Sequence, residues 1–254
     1  MEVKISAVII CFNEERNIER CINSVLPVAD EVLVLDSFST DRTIEICKKF
    51  GVRLEQHAFD GHIEQKNRAM KMAKHHVVLS LDADEALTET LQNSILFVKK
   101  NWQQKAYKFN RKTNYCGQWI NHCGWYPDTK IRLWDKRIGE WGGYNPHDKV
   151  ELQKGVEAKW LDGDLTHYSF YTVNEHKQKV ERYSTIKAKA VFKRGKTSGL
   201  FKIMAAPTFK FFWSYVVRMG FLDGAAGFTI CRLSALESKL TYQKIRRLQL
   251  AKEQ

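Results

Sequence analysis

The segment HHVVLSLDADEAL, residues 75–87, decides the fold, because a nearly continuous apolar run ends there in a cluster of acidic residues. The run over residues 76–81 has the length and composition of a strand that is covered on both faces of a sheet. Asp82, Asp84 and Glu85 follow it directly. In α/β proteins, ligands bind beyond the carboxyl ends of the strands. The segment therefore predicts a covered sheet with a polar site at its edge.

The first hundred residues alternate between strand and helix patterns. Strands are predicted over residues 5–10, 31–35, 52–57 and 76–81, and helices over residues 14–25, 40–50, 62–74 and 88–100. Such alternation indicates βαβ units and a largely parallel sheet, which makes the fold class α/β.

Beyond residue 105 the pattern changes twice. Residues 105–165 are rich in aromatic residues and glycine, which predicts loops and edge strands along one wall of a pocket. From residue 172 onward the pattern is helical. We therefore predict a catalytic domain over residues 1–170 and a basic, amphipathic helical region over residues 171–254.

The positive charge of the chain lies in its last third. From Tyr171 to the end there are 17 Lys and Arg against 5 Asp and Glu, a net charge of +12 that equals the net charge of all 254 residues. Residues 1–170 are therefore neutral. This asymmetry indicates an anionic partner for the helical region, which can be phospholipid, anionic glycolipid or nucleic acid.

The helical region also contains an apolar segment, residues 199–231, that charged residues interrupt throughout. No uncharged run in it is long enough to span a membrane. Aromatic residues beside scattered lysines are typical of a helix that lies in the membrane interface, and a helix packed on the catalytic domain is the alternative. The apolar stretch at the N-terminus is too short for a signal peptide. We therefore expect a cytoplasmic protein that associates peripherally with the inner face of the cell membrane.

The carboxylates after the fourth strand form the candidate metal site. Clustered carboxylates repel one another unless a cation neutralises them, and Mg²⁺ and Mn²⁺ bind through one or two carboxylates plus substrate phosphates. A solvated turn is the alternative. Asp36 ends the second strand at the same edge of the sheet, where it can bind the base or ribose of a nucleotide. Asp41 is more simply a helix cap.

Four segments, in this order, resemble the family 2 glycosyltransferases with a GT-A fold. They are SAVIICFNEE, VLVLDSFSTDRT, EQKNRAMKMA and VVLSLDADEAL. Four later segments resemble the lipopolysaccharide inner-core β-glucosyltransferase branch of that family, namely YPDTKIRLW, the His147-Asp148 pair in GGYNPHDKV, LTHYS and RMGFLDGAAGF. The resemblance implies a Rossmann-like nucleotide-sugar-binding domain with a mixed, mainly parallel sheet and a C-terminal helical extension.

The same resemblance implies an inverting, metal-dependent hexosyltransferase. The implied donor is a UDP-hexose, with UDP-glucose as the first candidate. The implied acceptor is a lipid-linked saccharide, such as a heptose of a lipopolysaccharide inner core, at an anionic membrane surface. Nucleic acid is not among the implied partners.

The resemblance assigns eight residues to the nucleotide sugar. Asp36 would hold the base or ribose in a pocket lined by the segment around Asn13, Lys66 and its two neighbours would approach the phosphates, and Asp82 would face the ribose or donor sugar. The set is Cys11, Asn13, Glu14, Asp36, Lys66, Asn67, Arg68 and Asp82.

Four further residues concern the metal and the proton transfer. Asp84 would bind Mg²⁺ or Mn²⁺, and His167 would complete the metal site, unless it is an ordinary hydrogen-bonded histidine. Asp148 is the implied general base, although this branch more often has His-Glu at that position, and Asp128 is the alternative. An inverting transfer needs one base within hydrogen-bond reach of the acceptor hydroxyl and a cation at the leaving diphosphate.

Three other classes of protein compete with this interpretation. Phosphatases of the haloacid dehalogenase type also have a DxD after a strand, but nearer the N-terminus and with different following residues. Nucleotidyltransferases usually open with a glycine-rich loop, and CFNEERN contains no glycine. A nucleic-acid-binding protein would explain the basic end, but the acidic clusters in the neutral first 170 residues would repel phosphate backbones.

Overall fold

The computed structural model describes residues 2–144 and 147–253 of the 254-residue chain. The strands of these ranges are β1 Ile5–Cys11, β2 Glu31–Asp36, β3 Arg53–Gln56, β4 Val77–Asp82, β5 Glu85–Leu87, β6 Ala106–Tyr115, β7 Gln118–Trp119, β8 Asp128–Asp135, β9 Gly139–Tyr144, β10 His147–Leu152 and β11 Lys159–Phe170. The α-helices are α1 Ile18–Val25, α2 Thr43–Lys49, α3 His62–Met72, α4 Glu89–Lys100, α5 Val173–Lys193, α6 Leu200–Phe212 and α7 Gly224–Glu253. A π-helical turn, Trp213–Val217, and a 3₁₀ turn, Gly220–Asp223, connect the last two helices.

Nine strands form one mixed sheet in the order β3-β2-β1-β4-β8-β6-β11-β5, with β7 paired to β6. The pairs among β3, β2, β1 and β4 are parallel. The pairs β4–β8, β8–β6 and β11–β5 are antiparallel, and β9 and β10 form a separate antiparallel hairpin. The mixed sheet around a parallel centre, followed by the C-terminal helices, confirms the predicted fold class.

The parallel strands are buried because helices cover both faces of the sheet. Side chains of β1 alternate between the faces, so that Ile9 packs with α1 and α4 in one apolar cluster and Val8 packs with α3 in another. This two-sided burial explains the nearly continuous apolar sequence of the strands. The order of the strands reverses between β1 and β4, and such a switch point opens a crevice for ligands beyond the strands' carboxyl ends.

The chain packs as two compact units. Unit 1 consists of Met1–Lys112 and Asp128–Tyr168, and unit 2 consists of Thr113–Pro127 and Ser169–Gln254. The division at residue 170 into a catalytic domain and a helical region stays a prediction.

Unit 2 has an aromatic core that contains two buried polar side chains, each with its own hydrogen-bond partners. The carboxylate of Asp223, which is 3% exposed, accepts hydrogen bonds from the backbone N–H groups of Asn121 and His122. The buried His176 ring contacts the Tyr115 hydroxyl through Nδ1 at 3.1 Å. Burial, and then the charge of Lys179, lowers the pKa of His176 to about 4, so this ring is neutral at physiological pH.

Helix α6 of unit 2 exposes large apolar side chains. Phe201 is 85% exposed and Met204 is 74% exposed, and Leu200, Phe209 and Phe212 are also exposed. We call these five residues the α6 apolar face. In the part of the chain that the structure describes, no helix combines the length and the apolar composition that crossing a bilayer requires.

Candidate active site

The acidic turn after β4 lies at the switch point of the sheet. Asp82 is the last residue of β4, and the backbone N–H of the following Ala83 donates to the carbonyl of Ile10 in β1. The backbone N–H of Asp82 donates to the Glu85 carboxylate at 3.1 Å, which closes the turn. The acids therefore stand at the carboxyl ends of the two central parallel strands, as the sequence predicts.

His167 is brought to this turn by the pairing of β11 with β5. His167 lies opposite Glu85 in that pair, and the backbone N–H of Tyr168 donates to the Asp84 carbonyl at 2.8 Å. As a result, His167 Nε2 lies 3.2 Å from Asp84 Oδ2, and both side chains are partly exposed. The structure thus brings the two predicted metal ligands into contact across strands that are far apart in sequence.

The donor set of this pair fits a divalent cation only in part. A carboxylate oxygen and an imidazole nitrogen are both ligands that Mn²⁺ accepts, and Mg²⁺ prefers the oxygen. Within the described residues, no group of three or more His, Cys, Asp or Glu side chains could hold a metal ion together. A cation at Asp84 and His167 therefore needs further ligands, which the phosphate oxygens of a nucleotide can provide.

Asp82 is held by two buried cations. Its Oδ1 lies 3.0 Å from Lys66 Nζ, and its Oδ2 lies 3.2 Å from Arg132 Nη2. Both cationic side chains are buried. Burial alone would raise the pKa of Asp82, but the charges of Lys66 and Arg132 outweigh it and hold the pKa well below its usual range. Asp82 is therefore ionised at physiological pH.

Asp148, the predicted base, shares the same lysine. Its Oδ2 lies 2.7 Å from Lys66 Nζ, and its side chain is 15% exposed. Burial would raise the pKa of Asp148, but the charge and hydrogen bond of Lys66 outweigh it, so the pKa lies below its ordinary value. Lys66 thus joins the donor-side and base-side carboxylates that the sequence predicts.

These contacts belong to a longer chain of alternating charges, which we call the ion-pair chain. Arg132 also contacts Glu85 at 2.6 Å, Glu85 contacts Arg111 at 3.1 Å, and Arg111 contacts Asp128 at 2.8 Å. The members in order are Asp148, Lys66, Asp82, Arg132, Glu85, Arg111, Asp128 and Lys130. Asp128, the alternative base, is therefore separated from Asp82 by two arginines and a glutamate.

Arg132 and Arg111 are functional candidates that the sequence interpretation missed. Arg132 is a single charged residue inside an apolar part of β8, and β8 lies beside β4 in the sheet. An arginine in such a strand is unusual unless it has a carboxylate partner, because unpaired buried charge is costly. That signal was present in the segment IRLW, but identifying the partner requires the pairing of β8 with β4.

Asp36 and Asn13 hold the loop after β2. The buried carboxylate of Asp36 accepts hydrogen bonds from Ser39 N at 2.9 Å and from Gln56 Nε2 at 3.0 Å, and it also contacts the Cys11 thiol. Asn13 Oδ1 accepts from Thr40 N at 2.8 Å. Burial, and then the charge of Asp36, raises the pKa of the Cys11 thiol, which stays protonated. The role of these residues toward a nucleotide stays a prediction.

The remaining predicted residues have local partners. The backbone N–H of Glu14 donates to Thr43 Oγ1 at 2.8 Å. Asn67 exchanges two hydrogen bonds with the backbone of Trp141, at 2.8 and 2.9 Å, and so ties α3 to β9, the partner of the strand with Asp148. Arg68 pairs with Asp60 at 2.7 Å. Lys66, the first of the three neighbouring residues on α3, contacts Asp82.

Two of the solved structures that are similar to this chain bind nucleotides. S. aureus TarS, crystallised with UDP, has a TM-score of 0.46 and 16% identity, covering 99% of this chain and 92% of that one. Glucosyl-3-phosphoglycerate synthase from Mycobacterium tuberculosis, crystallised with Mn²⁺ and UDP-glucose, has a TM-score of 0.37 and 23% identity, covering 44% of each chain.

Sequence relatives extend over nearly the whole chain. A Rickettsia typhi protein described as an uncharacterized glycosyltransferase is 32% identical, covering 97% of this chain and 88% of that protein. A lipopolysaccharide core biosynthesis glycosyltransferase, LpsC of Rhizobium meliloti, is 25% identical, covering 96% of this chain and 92% of LpsC. The family described as glycosyl transferase family 2 matches residues 6–165. Because this family matches more than half of the chain, and the Rickettsia typhi relative is 32% identical over 97% of it, the chain is a glycosyltransferase of family 2.

Proposed function

We propose that the chain is an inverting, metal-dependent hexosyltransferase that moves a hexose from a UDP-hexose, with UDP-glucose as the expected donor, to a lipid-linked saccharide. The observation that carries the proposal is the geometry around Lys66. This one buried ammonium group contacts both Asp82, at the end of the switch-point strand, and Asp148. A donor-side carboxylate and a base candidate therefore lie within one side chain of each other, as a single displacement requires.

The donor's diphosphate belongs at the acidic turn in this proposal. Asp84 and His167 would hold Mg²⁺ or Mn²⁺ there, because their oxygen and nitrogen atoms are already 3.2 Å apart. When bound, such an ion neutralises the charge of the leaving nucleoside diphosphate. The base and ribose would lie along the segments after β1 and β2, which Asp36 and Asn13 shape through the loop at residues 37–40.

The remaining residues of the predicted donor site have supporting roles. Cys11, at the end of β1, and Glu14, three residues later, would line the nucleotide pocket. Asn67 keeps β9 in position, and Arg68, which pairs with Asp60 at 2.7 Å, would approach the nucleotide from α3. Lys66 would approach the phosphates, and Asp82, which it contacts, would face the ribose or donor sugar.

Asp148 would act as the general base. As the acceptor's hydroxyl oxygen bonds to the anomeric carbon, its proton passes to Asp148 and the bond to the diphosphate breaks. One base and no covalent nucleophile give inversion at that carbon. Because its pKa is lowered, Asp148 is ionised and able to accept a proton at physiological pH. Asp128 is less suited, since Arg111 and Lys130 occupy both of its carboxylate oxygens.

A lipopolysaccharide inner core is the acceptor that we propose. The similarity to LpsC, whose description names lipopolysaccharide core biosynthesis, supports this choice. An acceptor of this kind is anchored in a membrane, and unit 2 has features that suit a membrane surface. The exposed Lys202 and Lys210 lie on the same helix as the α6 apolar face, within a region whose net charge is +12. We therefore propose peripheral association with the inner face of the cell membrane.

A nucleotide-release assay tests the proposed function. The purified protein is mixed with a deacylated lipopolysaccharide core acceptor and, in turn, UDP-glucose, UDP-galactose, UDP-N-acetylglucosamine and GDP-mannose, with Mn²⁺, Mg²⁺ or EDTA. We expect UDP release from one UDP-hexose, loss of release in EDTA, and a product whose anomeric configuration, read by NMR, is opposite to that of the donor. UDP release that continues in EDTA would contradict the metal dependence. A product with the same anomeric configuration as the donor would contradict the single displacement.

A further inference from the structure

Two neighbouring residues of unit 1 carry buried N–H groups that lack partners. Arg132 is 2% exposed, and its Nε and Nη1 atoms have no hydrogen-bond partner among the described residues. Trp141 is 4% exposed, and its Nε1 atom is unpartnered in the same sense. The guanidinium carbon of Arg132 lies 5.1 Å from the centroid of the Trp141 ring. Three unpartnered donor atoms therefore lie on two residues in contact.

Unpartnered donors of this kind are uncommon in native proteins. A buried N–H without an acceptor loses its bond to water and gains nothing in return, so most buried polar atoms are paired. Trp134, in the same unit, follows the rule, because its Nε1 donates to the carbonyl of Gly139 at 2.9 Å. Arg132 and Trp141 do not follow it, and a ligand that brings oxygen acceptors would complete their hydrogen bonds.

The surroundings decide what kind of ligand fits. Arg132 contacts the carboxylates of Asp82 and Glu85. Lys66 Nζ lies 4.4 Å from the centroid of the Trp141 ring and contacts the carboxylate of Asp148. These three carboxylates are balanced by Lys66, Arg132 and Arg111, so the surroundings have no net positive charge that would attract a phosphate group. A sugar hydroxyl, in contrast, accepts a hydrogen bond from an N–H and donates its own hydrogen to a carboxylate. The arrangement therefore suits a neutral, hydroxylated ring.

We propose that Arg132 and Trp141 bind hydroxyl oxygens of the donor's hexose and determine which hexose the enzyme accepts. This inference rests on the proposed function, because it requires a UDP-hexose donor whose hexose lies beside Asp82, on the side where Asp82 contacts Arg132. The orientation of individual hydroxyls then matters, since an epimer moves one oxygen away from these donors. The two residues act on the sugar and leave the nucleotide to other parts of the site.

The test uses Trp141→Phe, which removes one N–H donor and keeps an aromatic ring beneath the two cations, together with Arg132→Lys. Trp134→Phe is the matched control, because it changes a neighbouring buried tryptophan whose N–H is already paired within the protein. For each variant, the dissociation constant of UDP is measured by calorimetry with Mn²⁺. The kcat/KM for hydrolysis is measured with UDP-glucose and with its epimer UDP-galactose.

We expect Trp141→Phe to lower kcat/KM for the preferred UDP-hexose roughly 5- to 10-fold, as loss of one hydrogen bond implies. The preference between the two epimers falls, and the dissociation constant of UDP is unchanged. Arg132→Lys acts in the same direction, and Trp134→Phe leaves the epimer preference as it was. Because Trp141→Phe keeps the buried charges intact, it decides the question even when Arg132→Lys does not fold.

Two results would overturn the inference. An equal loss of UDP affinity would assign these residues to the nucleotide, and an unchanged epimer preference in Trp141→Phe would remove them from the hexose site. The proposed function fails differently, because the unaltered protein would then neither bind UDP nor hydrolyse any UDP-hexose.

Discussion

The interior of unit 1 and the surface of unit 2 depart from ordinary protein composition in opposite ways. Unit 1 buries charge, with Lys66 at 3%, Arg132 at 2% and Glu85 at 1% exposure. Unit 2 exposes large apolar side chains, with Phe201 at 85% and Met204 at 74%. Both arrangements cost free energy in an isolated chain in water. We interpret the first as the signature of chemistry and the second as that of a surface that meets a partner.

The largest expected effect comes from removing the proposed base, Asp148, inside unit 1. Asp148→Asn keeps the shape of the side chain and its position beside Lys66 but loses the ability to accept a proton. We expect kcat to fall by roughly 10²- to 10⁴-fold, with the dissociation constant of UDP unchanged. Steady-state UDP release and calorimetry measure the two quantities.

Asp128→Asn is the control for this variant, because Asp128 is the other candidate base and belongs to the same ion-pair chain. It should lower kcat far less than Asp148→Asn. If Asp148→Asn retains transfer and Asp128→Asn loses it, the assignment of the base is wrong and Asp128 takes its place.

A smaller effect is expected from Lys66→Met, which removes the cation that Asp82 and Asp148 share. In the native protein, the pKa of Asp148 is below its ordinary value of 3.8, so the base is ionised above that pH. Without Lys66, burial and the charge of Asp82 both raise this pKa. The base then becomes protonated as the pH falls, and the acid limb of kcat/KM should move upward by roughly one to two pH units.

Lys66→Arg keeps the positive charge and serves as the control for the pH profile. Its acid limb should stay where that of the native protein lies, even if its rate is lower. An acid limb that does not move in Lys66→Met would show that the lysine does not control the ionisation of the base.

The smallest effect on turnover is expected in unit 2, at the α6 apolar face. Phe201→Ser combined with Phe209→Ser removes two exposed aromatic rings. We expect binding to phosphatidylglycerol vesicles to weaken by about tenfold or more, because less apolar area enters the interface. Turnover with a deacylated, water-soluble acceptor should be unchanged. Co-sedimentation at low and high salt measures the binding.

Leu250→Ser is the matched control, since Leu250 is half exposed on α7 and does not belong to the α6 apolar face. It should leave vesicle binding intact. A native protein that does not bind these vesicles at low salt, or a double variant that binds as well as the native protein, would reject the membrane role of this face.

The sequence predicted the parallel strands well and the first helices less well. Predicted strands over residues 5–10, 31–35 and 76–81 correspond to β1, β2 and β4 within one residue at each end, because their apolar runs are continuous. The first helix begins at Ile18 and not at residue 14. Asn13 has a left-handed backbone, with φ of 54°, and Glu14 donates its N–H to Thr43. These tertiary hydrogen bonds compete with the helical pattern of the local sequence.

The site was predictable where it depends on strand ends and unpredictable where it depends on strand pairing. The sequence predicts both Asp84 and His167 as metal ligands, and the pairing of β11 with β5 brings the two side chains together. The sequence does not predict the roles of Arg132 and Arg111, because the antiparallel pairs β4–β8 and β6–β8 determine their carboxylate partners. Neither segment alone shows which strand it pairs with. Asn67, which the sequence assigns to the nucleotide sugar, also holds the backbone of β9, and its role toward a nucleotide stays a prediction.

We infer that Asp84 and His167 hold a divalent cation that binds the diphosphate of the donor. Calorimetric titration of UDP into the protein, with Mn²⁺ and with EDTA, for the native chain and for Asp84→Ala, tests it most directly. We predict UDP binding that requires Mn²⁺ in the native protein and that Asp84→Ala weakens as much as EDTA does. UDP binding that is equally tight without metal, or that Asp84→Ala leaves unchanged, would contradict the claim.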